Sequence, residues 1–346
     1  MESRRVTQQD IAKRAGVHRA TVSMAFKGHP NIPPATRDRI LEIAASMGYT
    51  PDPMLSALAA YRNRQRPAAF QGVLAWLVNT GYAFDWRDRN LRPHFSDYFE
   101  GASAQAKRYG FRVEIFDFNA PGLTPARLAS ILTARGVKGI LLCPQPRPET
   151  NIDFPWQHFS AVTFGYSLAI PKLHTVSATQ YRAMRQTVHE LRRLGYHRIG
   201  VALDGDHDLR TDHNYLAGYL VEEHLTTGSE VVPVLTTPYT DHQAVAKWLT
   251  AHKPDAVITG NYHFLDVMRS LGRAVPGDLG VACPLLPSAA TELAGVIENS
   301  VEIGSVAVDL LIGMIHRQER GIPANPQRIH IEGRWLAGRT LRDSAV

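Results

Sequence analysis

The sequence predicts a small all-α helix-turn-helix headpiece followed by a hinge and a larger α/β core of two parallel-sheet lobes. Three observations carry this. The chain has 346 residues, more than one hydrophobic core usually serves. Its excess positive charge sits at one end: residues 1–66 hold 11 Lys+Arg against 5 Asp+Glu, whereas residues 67–346 hold 27 of each. Finally, helical apolar spacing fills the first fifty residues, and alternating strand and helix patterns fill the rest.

The headpiece reads as three helices. Thr7 is a good N-cap, and Gln8 to Ala15 place Ile11, Ala12 and Ala15 on one face before Gly16 breaks the turn. His18 to Phe26 form a second helix with Val22, Ala25 and Phe26 inward. The run "NIPPATRDRILEIAASMGY" opens on prolines suited to a first helical turn, repeats apolar residues at Ile40, Leu41, Ile43, Ala44 and Met47, and stops at Gly48. A basic helix-turn-helix attached to an electrically neutral body is the footprint of a DNA reader, because the second helix of such a unit lies in the major groove.

Downstream of "RQRPAAFQ" come strand "GVLAWLV", helix "FSDYFEGASAQAKRYG", strand "FRVEIFDF", helix "TPARLASILTARG" and strands "KGILLC" and "FSAVTFG". A second set follows, with helix "RAMRQTVHELRRLG", strand "HRIGVAL", helix "NYLAGYLVEEHL", strand "EVVPVL", helix "HQAVAKWLTAH", strand "DAVITG", helix "FLDVMRSLG" and strand "LGVAC". Strands that alternate with helices imply parallel sheets, with any ligand at the carboxyl ends of the strands.

The run "VTQQDIAKRAGVHRATVSMAFKG…PPATRDRILEIAASMGYTPDP" resembles the headpiece of the LacI/GalR family of transcriptional regulators. "LRRLGYHRIGVAL" and "IGSVAVDLLIGMI" resemble that family's periplasmic-binding-protein-like core. The resemblance implies a homodimeric regulator, most simply a repressor, that binds double-stranded operator DNA of pseudo-palindromic sequence and takes a small-molecule effector between its lobes. It implies a headpiece over 1–50, a hinge over 51–71 and a core over 72–346, with lobe 1 about 72–177 and 299–330 and lobe 2 about 178–298 and 331–342. Arg19 and Ala20 fall at the family's main base-reading positions and Met24 at a third. Arg19 could bond guanine bidentately, while Ala20 and Met24 offer only apolar contact. Thr7, Thr21, Ser23 and Asn31 match phosphate-touching positions, with helix capping as the plainer reading of Thr21 and Ser23. In "PDPMLSALAAYRNRQRP", Met54, Ala57 and Leu58 match the minor-groove hinge, Leu58 standing where the family's wedging leucine stands. Pro53 departs from the family hinge, and Arg62, Arg64 and Arg66 extend positive charge beyond it.

The core departs from the family's sugar binders. Gly165, Tyr215 and Leu285 occupy positions where those proteins hold an acid, an arginine and an aspartate, and only Asn261 keeps its identity. The expected lining is Tyr166, Tyr215, Asn261, Tyr262 and Leu285, with part of "NTGYAFDWRDRNLRPHF". An aromatic cleft that has lost its charged partners points away from a typical sugar, toward a flat ligand or a cleft packed shut.

Other classes have less support. Phosphate-binding, zinc-hydrolase and nucleophile-elbow motifs are absent from the sequence, so no enzyme and no cofactor are expected. "DGDHDLRTDH" starts like a calcium loop but has Leu209 and Tyr215 where glycine and an acid are required, and it reads as a solvated loop with His207 and His213 at the surface. Cys143 and Cys283 read as buried, reduced thiols. No apolar run reaches the roughly 18 residues of a membrane span, and "MESRRVTQQD" lacks a secretory core, which points to the cytoplasm. A small-molecule binding protein without DNA function is the remaining alternative, and the basic headpiece argues against it.

Overall fold

The computed structural model describes residues 6–26, 32–49, 70–79, 93–226, 231–288 and 292–343. It divides into two compact units, Met1–Pro67 and Ala68–Val346.

In the first unit, α1 (Gln8–Ala15) is fixed at both ends. Thr7 and Asp10 form a reciprocal capping box: the Asp10 amide donates to Thr7 Oγ1 (3.4 Å) and the Thr7 amide to Asp10 Oδ2 (2.9 Å). Gly16 closes the helix at φ 67°, a left-handed conformation that glycine adopts without strain. Helices α2 (Arg19–Phe26) and α3 (Pro34–Ser46) complete a core of Ile11, Ala12, Ala15, Val22, Ala25, Ile40 and Ala44. Arg39 donates to the Ala15 carbonyl at 3.0 Å, so α3 also caps the end of α1.

The second unit holds two sheets. Strands β1 (Gly72–Val78), β2 (Phe111–Asp117), β3 (Gly139–Leu142), β5 (Ser160–Phe164), β7 (His174–Ala178) and β12 (Arg328–Ile331) form the first, in the order β12-β7-β5-β3-β1-β2, all parallel. Between them run α4 (Pro93–Arg108), α5 (Pro125–Ala134) and the short pair β4 (Thr150–Asn151) and β6 (Leu168–Ile170). Near-continuous apolar runs such as "GVLAWLV" make sense here, since both faces of the sheet are covered, by separate apolar clusters.

After β7 the chain enters α6 (Gln180–Arg193) and the second sheet, β8 (Ile199–Ala202), β9 (Ala256–Thr259), β10 (Gly280–Leu286), β11 (Ala294–Ile297) and β13 (Arg334–Leu336), ordered β13-β11-β10-β9-β8. Only β13 is antiparallel. Helices α7 (Gly205–Arg210), α8 (Asn214–Leu225), α9 (His242–His252) and α10 (Phe264–Ser270) connect these strands, and α11 (Ser300–Arg317) returns to the first sheet. There α11 crosses α4 at backbone distance. A Cβ on Gly304 would lie 2.0 Å from the Tyr98 carbonyl, and one on Gly101 would lie 1.9 Å from that of Val301. Cys143 and Cys283 are both buried, one in each sheet's core, and burial pushes the Cys283 thiol up to about 12.

Two expectations fail. "EVVPVL" is not a strand among its described residues; only an isolated bridge links Leu235 to Ala202. Pro233 has no amide to give a ladder, and its carbonyl is taken by Trp248 Nε1 at 2.7 Å. "DGDHDLR" is not a loop: Asp204 caps the short helix α7 by accepting from the Asp206 amide at 2.9 Å.

Candidate functional site

The two candidate surfaces belong to different units. In the first, α2 presents Arg19 and Ala20 exposed at its N-terminal end, with Thr21, Ser23 and Met24 half-buried along the helix. His18 precedes α2 and accepts from the Ala20 amide through Nδ1 (3.3 Å), so neither Thr21 nor Ser23 caps this helix. Thr7 is exposed, but its hydroxyl already donates to Asp10 Oδ2 at 2.6 Å. Asn31, Met54, Ala57 and Leu58 lie outside the described residues.

In the second unit a cleft of about 980 Å³ opens between the two sheets. It lies beyond the carboxyl ends of the strands, where Gly165 follows β5, Asn261 follows β9 and Glu298 follows β11. Tyr166, Asn261, Tyr262 and Leu285 line it. Tyr166 has both its handles engaged: the hydroxyl meets His330 Nε2 at 2.9 Å, and the Arg328 guanidinium lies 4.6 Å from its ring. Asn261 is oriented by its own turn, with Oδ1 accepting from the His263 amide at 2.8 Å, which leaves its Nδ2 as the donor side. Tyr215 is not part of the lining. It is fully buried in the core of the second lobe, its ring stacked 5.9 Å from His207, because a tyrosine at this position on α8 packs inward.

The structure also brings together residues that sequence reasoning missed. Glu298, 5% exposed, sits where β11 hands over to α11. Its Oε1 accepts from the Tyr98 hydroxyl (2.8 Å), and its Oε2 from Ser300 Oγ (2.7 Å) and His94 Nδ1 (2.8 Å). His94 and Tyr98 are four residues apart on α4 and therefore share one face. Burial alone would push the Glu298 carboxyl up; the adjacent His94 and the three donated hydrogen bonds outweigh it and hold the group below the usual carboxylate range. Burial and the Glu298 charge push the Tyr98 phenol up, so it stays a donor.

His207 and Arg210 line the same cleft from α7. The cleft is thus neither packed shut nor stripped of charge. Residues 165, 215 and 285 carry no charge, but His94, His207, Arg210 and Glu298 reach the cleft from other elements. His213 does lie at the surface, bound through Nδ1 to Asp208 at 2.6 Å.

A helix-turn-helix unit joined to a two-lobed α/β unit with a cleft at its strand ends defines a DNA-binding transcriptional regulator with a ligand-binding core. Residues 7–52 match the family described as bacterial regulatory proteins, lacI family, and residues 188–341 match the periplasmic binding protein-like domain. The chain thus carries a LacI-type helix-turn-helix domain and a periplasmic-binding-protein-like domain, and the relatives it resembles are transcriptional regulators. It is similar to catabolite control protein A of Staphylococcus xylosus, 22% identical over 342 residues that cover 95% of this chain and 98% of the relative. It is also similar to the HTH-type transcriptional regulator CelR of Thermobifida fusca, 25% identical over 80% of this chain and 81% of the relative. Among solved structures, the CelR–cellobiose complex superposes with a TM-score of 0.60 at 22% identity, over 97% of this chain and all of that one. The lac repressor dimer bound to operator and the anti-inducer ONPF superposes with a TM-score of 0.52 at 17% identity, over 97% and 99%. At these identities the structural likeness establishes the fold. No helix among the described residues is long and apolar enough to cross a membrane.

Proposed function

We propose that the protein is a cytoplasmic repressor that binds a pseudo-palindromic operator as a homodimer, and that a small-molecule effector in the inter-lobe cleft tunes its DNA affinity. The observation that carries this is the capped α2 with Arg19 and Ala20 exposed at its leading end, in a chain that also holds an open cleft. In this reading Arg19, Ala20 and Met24 face base edges, and Thr7, Thr21, Ser23 and Asn31 face phosphates. Thr7 would exchange its Asp10 hydrogen bond for one to phosphate. Met54, Ala57 and Leu58, in a hinge over 51–71, enter the minor groove, and Leu58 kinks the duplex. The core supplies the dimer interface.

The effector of this reading is not a typical sugar, because the family's acid, arginine and aspartate are Gly165, Tyr215 and Leu285 here. A sugar is the second reading, favoured by the charged and hydrogen-bonding groups that reach the cleft from α4, α7 and β11 and by the cellobiose complex of CelR. Tyr166, Asn261, Tyr262 and Leu285 would contact either ligand, with Tyr215 supporting them from behind.

The test is selection of bound sequences from random double-stranded DNA across a salt series. The expected result is an enriched pseudo-palindrome with a central pyrimidine–purine step and affinity that falls steeply with salt. Enrichment of a single half-site would remove the homodimer, and no enrichment with or without candidate effectors would remove the reading.

A further inference from the structure

A three-residue turn, Thr211 to His213, joins α7, which lines the cleft with His207 and Arg210, to α8. Asp212 and His213 adopt left-handed backbones in succession, at φ 54° and 57°. Each is unfavourable for a residue with a Cβ, and two in a row persist only where surrounding contacts hold them. Those contacts come from α7. The His213 amide donates to the Asp208 carbonyl at 3.0 Å, the Asp212 amide donates to that of Leu209 at 3.1 Å, and His213 Nδ1 meets Asp208 Oδ2 at 2.6 Å. Asp208 is 8% exposed and its Oδ1 has no partner among the described residues, so this buried carboxylate relies on His213 for a counter-charge.

The same turn reaches across to the other lobe. Asp212 Oδ2 lies 3.9 Å from the Arg328 guanidinium on β12, and Arg328 in turn lies over the ring of Tyr166. Between partly exposed groups at this distance the ion pair is weak, so a slight displacement of Asp212 is enough to break it. The charges that act on His213 are both acidic: Asp208 on α7 and Asp212 beside it. Of the basic groups around the turn, Arg328 pairs with Asp212, and His207 and Arg210 line the cleft. The hydrogen bond and charge of Asp208, helped by Asp212, raise the His213 imidazole above the ordinary histidine value. Its charged contact is therefore fully present below that ordinary value and is lost as pH rises through the higher folded one.

We propose that Asp208 and His213 form a proton-operated clasp: with His213 charged, the turn is locked and Asp212 tethers the second lobe to Arg328 of the first; with His213 neutral, the turn slackens and the lobes part more readily. The clasp acts whether or not the cleft holds a ligand, and it makes lobe closure respond to pH near neutrality.

Hydrogen exchange of the full chain, with no DNA or ligand added, reads the turn directly. Once the intrinsic pH dependence of exchange is divided out, protection of the amides at 211–214 is expected to fall roughly two- to fivefold between about pH 6 and about pH 8.5, the range that an exposed ion pair supports. His213→Asn keeps a residue that tolerates the left-handed backbone and removes the titrating ring, and Asp208→Asn keeps the shape and removes the charge. Both variants are expected to show the low protection at either pH. Closure is read by energy transfer between dyes on Ser130→Cys in the first lobe and Thr250→Cys in the second, exposed positions in a chain whose own cysteines are buried, with labelled chains diluted into unlabelled ones. The lobes of the otherwise unaltered chain should move apart at the higher pH, and adding Arg328→Gln should leave them equally apart at both. Turn protection that is independent of pH in wild type, or that falls equally in H213N, overturns the proposal. A turn that loosens while the separation of the lobes stays fixed overturns it as well.

Discussion

Replacing Tyr98 by Phe deletes one oxygen from the Glu298 cluster and keeps the ring stacked on Phe164, 5.2 Å away. The bond lost is 2.8 Å long, between groups only 6% and 5% exposed. A hydrogen bond to a charged group contributes about 1.5–3 kcal/mol, and at this depth the carboxylate oxygen regains no full solvation, so roughly 2 kcal/mol is expected. For a folding unit that spans Ala68–Val346 this corresponds to a melting temperature lowered by about 3–4 °C. Scanning calorimetry at neutral pH, repeated as the solution is acidified, provides two readouts. Because the folded Glu298 carboxyl is held below its ordinary value, its contribution is present above the ordinary carboxylate pKa and is lost as pH falls through the lower folded value. Tyr98→Phe removes one of the donors that hold it down, so the gap between variant and wild type should narrow on acidification. A variant that melts within about 1 °C of wild type at neutral pH, or a gap that widens toward acid, would refute this account of the cluster.

Arg19→Ala should weaken specific DNA binding by roughly 1–3 kcal/mol and relax preference at one base position; unchanged preference in a binding-site selection would remove its base-reading role. Leu58→Ala should weaken binding and reduce DNA bending while half-site preference is largely kept, and normal bending by the variant would remove the wedge. Gly304→Ala places a Cβ 2.0 Å from the Tyr98 carbonyl and 2.9 Å from the Ala102 amide nitrogen. It should lower core stability by at least the about 1–3 kcal/mol typical of overpacking, and unperturbed unfolding would show that α4 and α11 can separate freely.

The headpiece was legible because its signals are local. Thr7, Gly16 and the spacing of Ile11, Ala12, Ala15, Val22 and Ala25 each act within one helical turn or one connection. The core strands that could be read, "GVLAWLV" and "KGILL", are apolar on both faces. Strand β7 could not be read, since His174, Thr175 and Ser177 are as buried as its apolar residues and owe that to their neighbours β5 and β12. Helix α7 was missed because nothing apolar repeats in "GDHDLR"; its start is set by the Asp204 cap. Tyr215 was assigned to the cleft from a family position, and the side chain that stands there turns into the second lobe's core.

The polar centre of the cleft was illegible for a different reason. His94 and Tyr98 meet Glu298 across about two hundred residues of chain, and no spacing rule joins a helix of one lobe to the last residue before a crossover. The fold makes that meeting possible by running its three passages between lobes, after β7, after β11 and between β12 and β13, side by side. At the first, Thr179 donates to Glu332 of the third; at the second, Asn299 holds a left-handed φ of 60° and donates to the Glu332 carbonyl at 2.6 Å. Any rotation of one lobe against the other has to turn about these tied strands, and Glu298 and Gln180 stand one residue to either side of those ties. A ligand bonded at the cleft floor therefore acts where small changes of backbone angle produce the largest relative movement of the lobes. The residues placed there make a better guide to what the cleft can hold than residues 165, 215 and 285, of which Tyr215 does not reach the cleft at all.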